Sequence, residues 1–96
     1  MKTFDMEAES FLNELLVKLE EFQELEVRLE EGVLTIKAEN GDYAINKHSI
    51  TSSIWYSSPV SSLKYFALKD GVFVDKKNHT LSLEAALFED LNNKQI

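Results

Sequence analysis

Glutamates offer this chain its densest chemistry. Glu20 and Glu24 stand one helical turn apart, Glu21 adjoins them, and Glu26 opens the outward face of the segment that follows. Glu7, Glu14 and Glu21 succeed one another down one flank of the same helix. Like charges at i, i+4 destabilise an isolated helix by about 0.2–0.5 kcal/mol per pair, and a bound cation would relieve that strain. Exposed ligands that are all oxygen suit hard cations and hold them weakly compared with imidazole or thiolate sites. The same acids also read as a solvated helix face that keeps the protein soluble, and composition allows both readings.

A second constellation lies between Ile45 and Phe66. This stretch holds the only Trp and the only Pro of the chain, in the order Ile54, Trp55, Tyr56, Ser57, Ser58, Pro59. Successive side chains of a strand point to opposite faces. If Ile54 and Tyr56 face a core, Trp55 stands on the other face with Ser53 and Ser57. A large aromatic on a polar face is a binding anchor or a ring covered by its own loops, and spacing alone leaves both open. His48 and His79 both read as residues of polar loops, without H-x-x-x-H spacing, and as solvated rather than ligating; His48 could still approach the face of Trp55.

Other chemistries are excluded. The chain has no Cys, so it offers no disulfide, no thiolate nucleophile and no cluster held by its own sulfur. It carries no G-x-S-x-G, P-loop or G-x-G-x-x-G pattern, and its three Gly all fall in turns. Paired exposed glutamates lack the burial that tunes a general acid.

The net charge of −7 is unevenly placed: residues 1–42 hold twelve acids and four bases, and residues 43–96 hold five acids and six bases. Phosphate backbones and anionic membranes should be repelled by the first half, and cations or a basic protein attracted. An open sheet stacking single-stranded RNA on Trp55 and Tyr65 is the binding-module rival, and the charge argues against it. No apolar run approaches the ~20 residues of a membrane span. The acidic start resembles neither a secretory nor a transit peptide, so the protein is expected to act where it is made or to have a presequence outside these residues.

Elements must position these groups. Phe4, Ala8, Phe11, Leu12, Leu15, Leu19 and Phe22 form one apolar stripe at helical spacing, predicting a helix over 4–22 with Thr3 as N-cap and Val17 in the middle of the exposed side. Residues 24–75 read as an antiparallel sheet of five to six strands. Its turns fall at Glu30-Glu31-Gly32, Asn40-Gly41 (the strongest hairpin signal, of type I′), His48–Ser52, Pro59 and Asp70-Gly71. Strands are expected at 33–38, Tyr43 to Lys47, around Trp55, Leu63 to Leu68 and Val72 to Asp75. A second helix over 82–92, capped by Ser82, buries Leu83, Ala86, Leu87 and Leu91, and the tail NNKQI frays. Ninety-six residues with 44% hydrophobic content make one domain with a single core. Two amphipathic helices flanking such a sheet can bury their stripes only on the same face. The expected fold class is therefore α+β, a two-layer sandwich with one sheet face open.

Asn46-Lys47, the Ile54-Trp55-x-Ser57-Ser58-Pro59 run, the pair Tyr65-Phe66 and the upstream GVLTIKAENGDYAINK resemble the frataxin family, whose bacterial members are called CyaY proteins. The resemblance covers residues 4–91. It implies the same sandwich and an iron-binding accessory protein that docks on the cysteine desulfurase–scaffold complex and modulates sulfur transfer and iron delivery in iron–sulfur cluster assembly. A ferroxidase or iron-storage activity on surface carboxylates is the alternative. It further implies weakly bound Fe²⁺ or Fe³⁺ on an acidic ridge formed by Glu14, Glu20, Glu21, Glu24 and Glu26, thinned by the apolar Leu16 and Val17. The expected scaffold contacts are Asn46 and Trp55, with Ser53, Ser57 and Tyr65 beside them. Ser53 and Tyr65 stand where animal members have Gln and Arg, and Ile50 replaces a Pro common in that loop. The implied state is a monomer, with oligomerisation on iron as the alternative, in the mitochondrial matrix or a related organelle, or in bacterial cytoplasm.

Overall fold

The computed structural model describes residues 3–92. Two helices, α1 (Phe4–Glu20) and α2 (Leu83–Asn92), flank six strands: β1 (Glu26–Glu30), β2 (Val33–Ala38), β3 (Gly41–His48), β4 (Ser53–Ser58), β5 (Ser62–Lys69) and β6 (Val72–Asp75). The sheet is an antiparallel meander in which spatial order equals chain order. Both helices pack on one face, where Ala8, Leu12, Leu15 and Leu19 of α1 and Leu83, Ala86 and Leu87 of α2 meet Leu34, Ile36, Tyr43, Ile45, Ile54, Tyr56, Phe66 and Phe73. The expected α+β sandwich with one uncovered sheet face is therefore present, with six strands.

The helix starts follow their caps. Thr3 accepts the Met6 N–H at 3.3 Å, and Ser82 accepts the Ala85 N–H at 3.2 Å, each satisfying a donor the helix cannot. The expectation for the end of the first helix is corrected: α1 stops at Glu20, not at residue 22. Glu21 is its C-cap, and Phe22 and Leu25 continue in short turns, with the Phe22 N–H donating to Leu19 O and the Leu25 N–H to Phe22 O. Acids are unfavourable at the negative end of a helix, and Leu25 must turn back to reach the sheet. Phe22 is accordingly 40% exposed rather than part of the buried stripe. It lines a cleft of about 650 Å³ with Leu25, Ala38, Phe88 and Leu91.

The turns also sort differently from expectation. The two hairpins with positive φ at both central residues are Glu31 (49°)–Gly32 (78°) and Asp70 (51°)–Gly71 (80°), as type I′ requires. Between β2 and β3, Ala38 pairs with Gly41, so the centre is Glu39–Asn40, neither of which has positive φ. Either register keeps Ile36 and Tyr43 inward. Two contacts decide between them. The Asn40 side chain donates to the Asp90 carbonyl at 3.0 Å and accepts the Tyr43 hydroxyl at 3.0 Å, tying the turn to the end of α2. Gly41 (φ 133°) lies so close to Pro59 that a Cβ there would sit 2.8 Å from the ring. Of the tail NNKQI, expected to fray, Asn92 ends α2 and residues 93–96 lie outside the described residues.

Candidate functional site

The alternation of β4 is resolved by burial: Ile54 and Tyr56 have no exposed surface and face the helices, which turns Trp55 to the uncovered face. Cross-strand pairing sets Asn46, Trp55 and Tyr65 in one row on β3, β4 and β5. Trp55 and Tyr65 meet edge to face with centroids 5.5 Å apart. Tyr65 is 39% exposed. Ser57 is exposed one step along the same face, between Ala44 and Leu63. Four of the five expected contact residues thus share a continuous surface.

Ser53 is the correction. It lies on the same face but has no exposed area. The Trp55 Nε1–H donates to its Oγ at 3.2 Å, and a 2.6 Å hydrogen bond joins that Oγ to Thr51 Oγ1. Ser53 is a post beneath the indole rather than a contact for a partner. His48, expected in a polar loop but able to approach Trp55, ends β3, and its ring stacks on Trp55 with centroids 4.3 Å apart and 16° between planes. Its Nδ1 is 2.8 Å from Thr51 Oγ1. The signal was available: Asn46 and His48 are two residues apart, so a strand carried one residue past Lys47 puts both on one face.

Lys47 points the other way. Its ammonium lies 3.7 Å from Asp5 and 3.3 Å from Glu9, and Ser49 donates to Asp5 at 2.6 Å. These contacts fasten the β3–β4 loop to the start of α1 and consume two of its acids. Lys18 reaches across to Glu84 of α2 at 3.0 Å.

The expected ridge residues remain exposed and form no ion pair among the described residues. Glu14 lies mid-helix, Glu20 ends α1, and Glu21 and Glu24 belong to the turn that follows. Glu26 does not join them. Val27 and Leu29 pack toward the core, so Glu26 faces the opposite side of the sheet, paired with Lys37. Among the described residues, no three carboxylates or imidazoles converge closely enough to hold a metal ion. An ion on this ridge would keep most of its water and be weakly held.

Two carboxylates are buried, Asp75 of β6 and Asp90 of α2, and the second gathers three hydroxyls. Asp90 of α2, 6% exposed, accepts the Tyr56 hydroxyl at 2.6 Å, the Ser58 hydroxyl at 2.8 Å and the Ser61 hydroxyl, all on Oδ2. Ser58 also accepts the Val60 and Ser61 N–H groups, so the Ser58-Pro59 turn is organised around this carboxylate. Burial, then the hydrogen bond to Asp90, push the Tyr56 phenol far above its ordinary range. Burial raises Tyr43 as well, against the lowering effect of its bond to Asn40. The sequence reading passed over Asp90, although it continues the 3–4 spacing of Leu83, Ala86 and Leu87.

A two-layer sandwich with an aromatic row on its bare sheet face and exposed acids at the end of its first helix defines a class of small acidic α+β proteins. The chain belongs to the frataxin-like family, whose domain profile matches residues 1–95. It is 34% identical over 87 residues to the mitochondrial frataxin homolog of Saccharomyces cerevisiae, covering 83% of this chain and 50% of the yeast protein. The chain therefore spans about half the length of that curated relative. A crystal structure of trimeric yeast frataxin complexed with ferrous iron superposes with a TM-score of 0.78 at 34% identity, over 86% of this chain and 80% of that one. The frataxin of Psychromonas ingrahamii, a CyaY protein, shares the fold with a TM-score of 0.75 at 20% identity, over 90% of this chain and 86% of that one.

Proposed function

We propose that this protein is an iron-binding accessory factor of iron–sulfur cluster assembly. It docks through its bare sheet face on a cysteine desulfurase–scaffold complex and modulates sulfur transfer there. The observation that carries the reading is the row Asn46–Trp55–Tyr65 on the face no helix covers, in a chain of the frataxin-like family. With no Cys, the chain cannot carry a persulfide itself, so it acts on the partner's chemistry by occupying its surroundings. The placement fits a mitochondrial matrix, as for the yeast homolog, or a bacterial cytoplasm.

Ferrous iron enters as cargo, held by Glu20, Glu21 and Glu24, with Glu14 further up the helix. These acids have no cationic partner among the described residues, and an ion would relieve their mutual repulsion. Binding is micromolar or weaker, and association of several copies would follow iron loading, as the trimeric yeast structure suggests by likeness. Glu26, across the sheet, belongs to a separate and weaker locus.

Two measurements test this. In an amide NMR titration with Fe²⁺, paramagnetic broadening should start at Glu20, Glu21 and Glu24; broadening that starts at His48 or His79 would move the site elsewhere. In a pull-down with desulfurase and scaffold, Trp55→Ala should weaken binding by ~2 kcal/mol, roughly thirtyfold. Unchanged capture would remove the docking face.

A further inference from the structure

The indole of Trp55 does not stand alone on the bare face. Its Nε1–H donates to Ser53 Oγ, that Oγ is bonded to Thr51 Oγ1, and Thr51 Oγ1 is bonded to His48 Nδ1, whose ring returns to lie flat on the indole. The chain of hydrogen bonds closes on the same two rings that stack. With His48 neutral and its proton on Nε2, each hydroxyl gives one bond and takes one: Trp55 to Ser53, Ser53 to Thr51, Thr51 to His48 Nδ1. The tautomer is assigned from this network. A second proton makes Nδ1 a donor, turns the Thr51 hydroxyl toward solvent and places a full positive charge against the indole.

From this geometry we propose that His48 makes the Trp55 surface sensitive to protons, with the neutral imidazole as the form that docks. The proposal rests on the docking reading above and adds its regulation. The surroundings of the stack on that face are Trp55, Tyr65, Ala67 and Val74, none of them an anion. Among the charged groups nearby, Glu30 shares this face at the β1 end of the Asn46 row, where Arg28 lies 3.6 Å from it. Glu31, opposite His48 by the β2–β3 register, is in a turn. Asp5 is engaged by Ser49 and Lys47, and the Lys47 ammonium is on the helix side. Lys76, whose N–H donates to Tyr65 O, adds further positive charge at the far end of the row. His48 forms no ion pair among the described residues, so a partner that covers the row must strip water from it without a salt bridge of this chain to compensate. Burying a neutral stacked ring costs little, and burying an unpaired imidazolium costs much. Binding that excludes the charged form weakens by up to about tenfold per pH unit as that form comes to predominate.

The test compares wild type with His48→Phe, which keeps a flat ring on the indole and cannot titrate. Both are titrated at pH 7.5 and pH 5.5 against a reconstituted desulfurase–scaffold complex, with Trp55→Ala as a third variant. The expected result is that wild-type affinity falls at least about fivefold more between pH 7.5 and pH 5.5 than that of His48→Phe, each compared with its own value at pH 7.5. Parallel pH profiles would overturn the proposal, since any acid dependence would then belong to the partner. If Trp55→Ala binds as wild type, the docking reading fails instead. A measurement without the partner keeps the two apart. Trp55 is the only Trp, and an imidazolium against an indole quenches its emission more than a neutral imidazole does. Wild type should show a step in fluorescence between pH 5 and 8 that His48→Phe lacks. Its absence would show that protonation does not reach the stack.

Discussion

Replacing Asp90 tests how far a single buried carboxylate organises the interior. Asp90→Asn keeps the size but loses the charge to which Tyr56, Ser58 and Ser61 donate, and hydrogen bonds to charged groups are worth about 1.5–3 kcal/mol. Asp90→Ala strands the Tyr56 and Ser58 hydroxyls and should cost more, about 3–5 kcal/mol. Denaturant melts of the two variants should show that order, with m values unchanged. The same network sets an alkaline limit. Tyr56 and Tyr43 hold their protons in the folded state above the range where an unfolded phenol, near pH 10, releases them. A raised folded pKa gives stability that is complete below the unfolded value and is lost as pH rises past it. Stability should therefore fall by up to about 1.4 kcal/mol per pH unit above pH ~10 on account of Tyr56, with Tyr43 acting in the same direction. The tyrosinate absorbance of Tyr56 should appear together with unfolding rather than before it. A wild-type protein whose stability is flat from pH 9.5 to 11.5 would contradict the burial of Tyr56.

The elements explain where the sequence was readable. Alternation and helical spacing carried β2, β4, β6 and both helix starts, because each of these buries one face and begins or ends at a residue with a local reason to be there. Boundaries set by distant contacts were not legible. The Asn40-Gly41 turn moved one residue because Asn40 is engaged by Asp90 of α2 and Gly41 by Pro59, neither near it in sequence. Gly41→Ala tests this: positive φ and the Pro59 ring both oppose a Cβ, and the cost should reach about 2–4 kcal/mol. Gly71→Ala, with nothing near its would-be Cβ, should cost only about 1 kcal/mol for its positive φ. The site was legible to the same degree. Asn46, Trp55, Ser57 and Tyr65 follow from strand parity, while the burial of Ser53 and the stacking of His48 depend on a loop, Ser49–Ser52, whose path alternation does not describe. Glu26 projects from β1 to the bare face, so strand parity rather than helical spacing sets its position relative to the helix acids.

At the scale of the molecule, the net negative charge resides in residues 1–42, and Lys47 and Lys18 pair with Asp5, Glu9 and Glu84 rather than with the ridge. Association with a basic partner should therefore be steered by the unpaired acids and slow as the Debye length shrinks to about 8 Å at physiological salt. A stopped-flow on-rate indifferent to salt would reduce those acids to a solubility device. The meander has a consequence of a different kind, for the order in which the protein assembles. Each strand pairs with its immediate predecessor, so the whole sheet can form hairpin by hairpin as the chain leaves the ribosome. Asp90, by contrast, emerges after the whole sheet and then must find Tyr56, Ser58 and Ser61 about thirty residues behind it. Contacts so separated in sequence are made late, after the barrier. In a chevron plot Asp90→Ala should steepen nothing and leave the refolding limb where it is, while lifting the unfolding limb by nearly the whole of its equilibrium cost. The final helix thus acts on the lifetime of the native state rather than on the speed of reaching it.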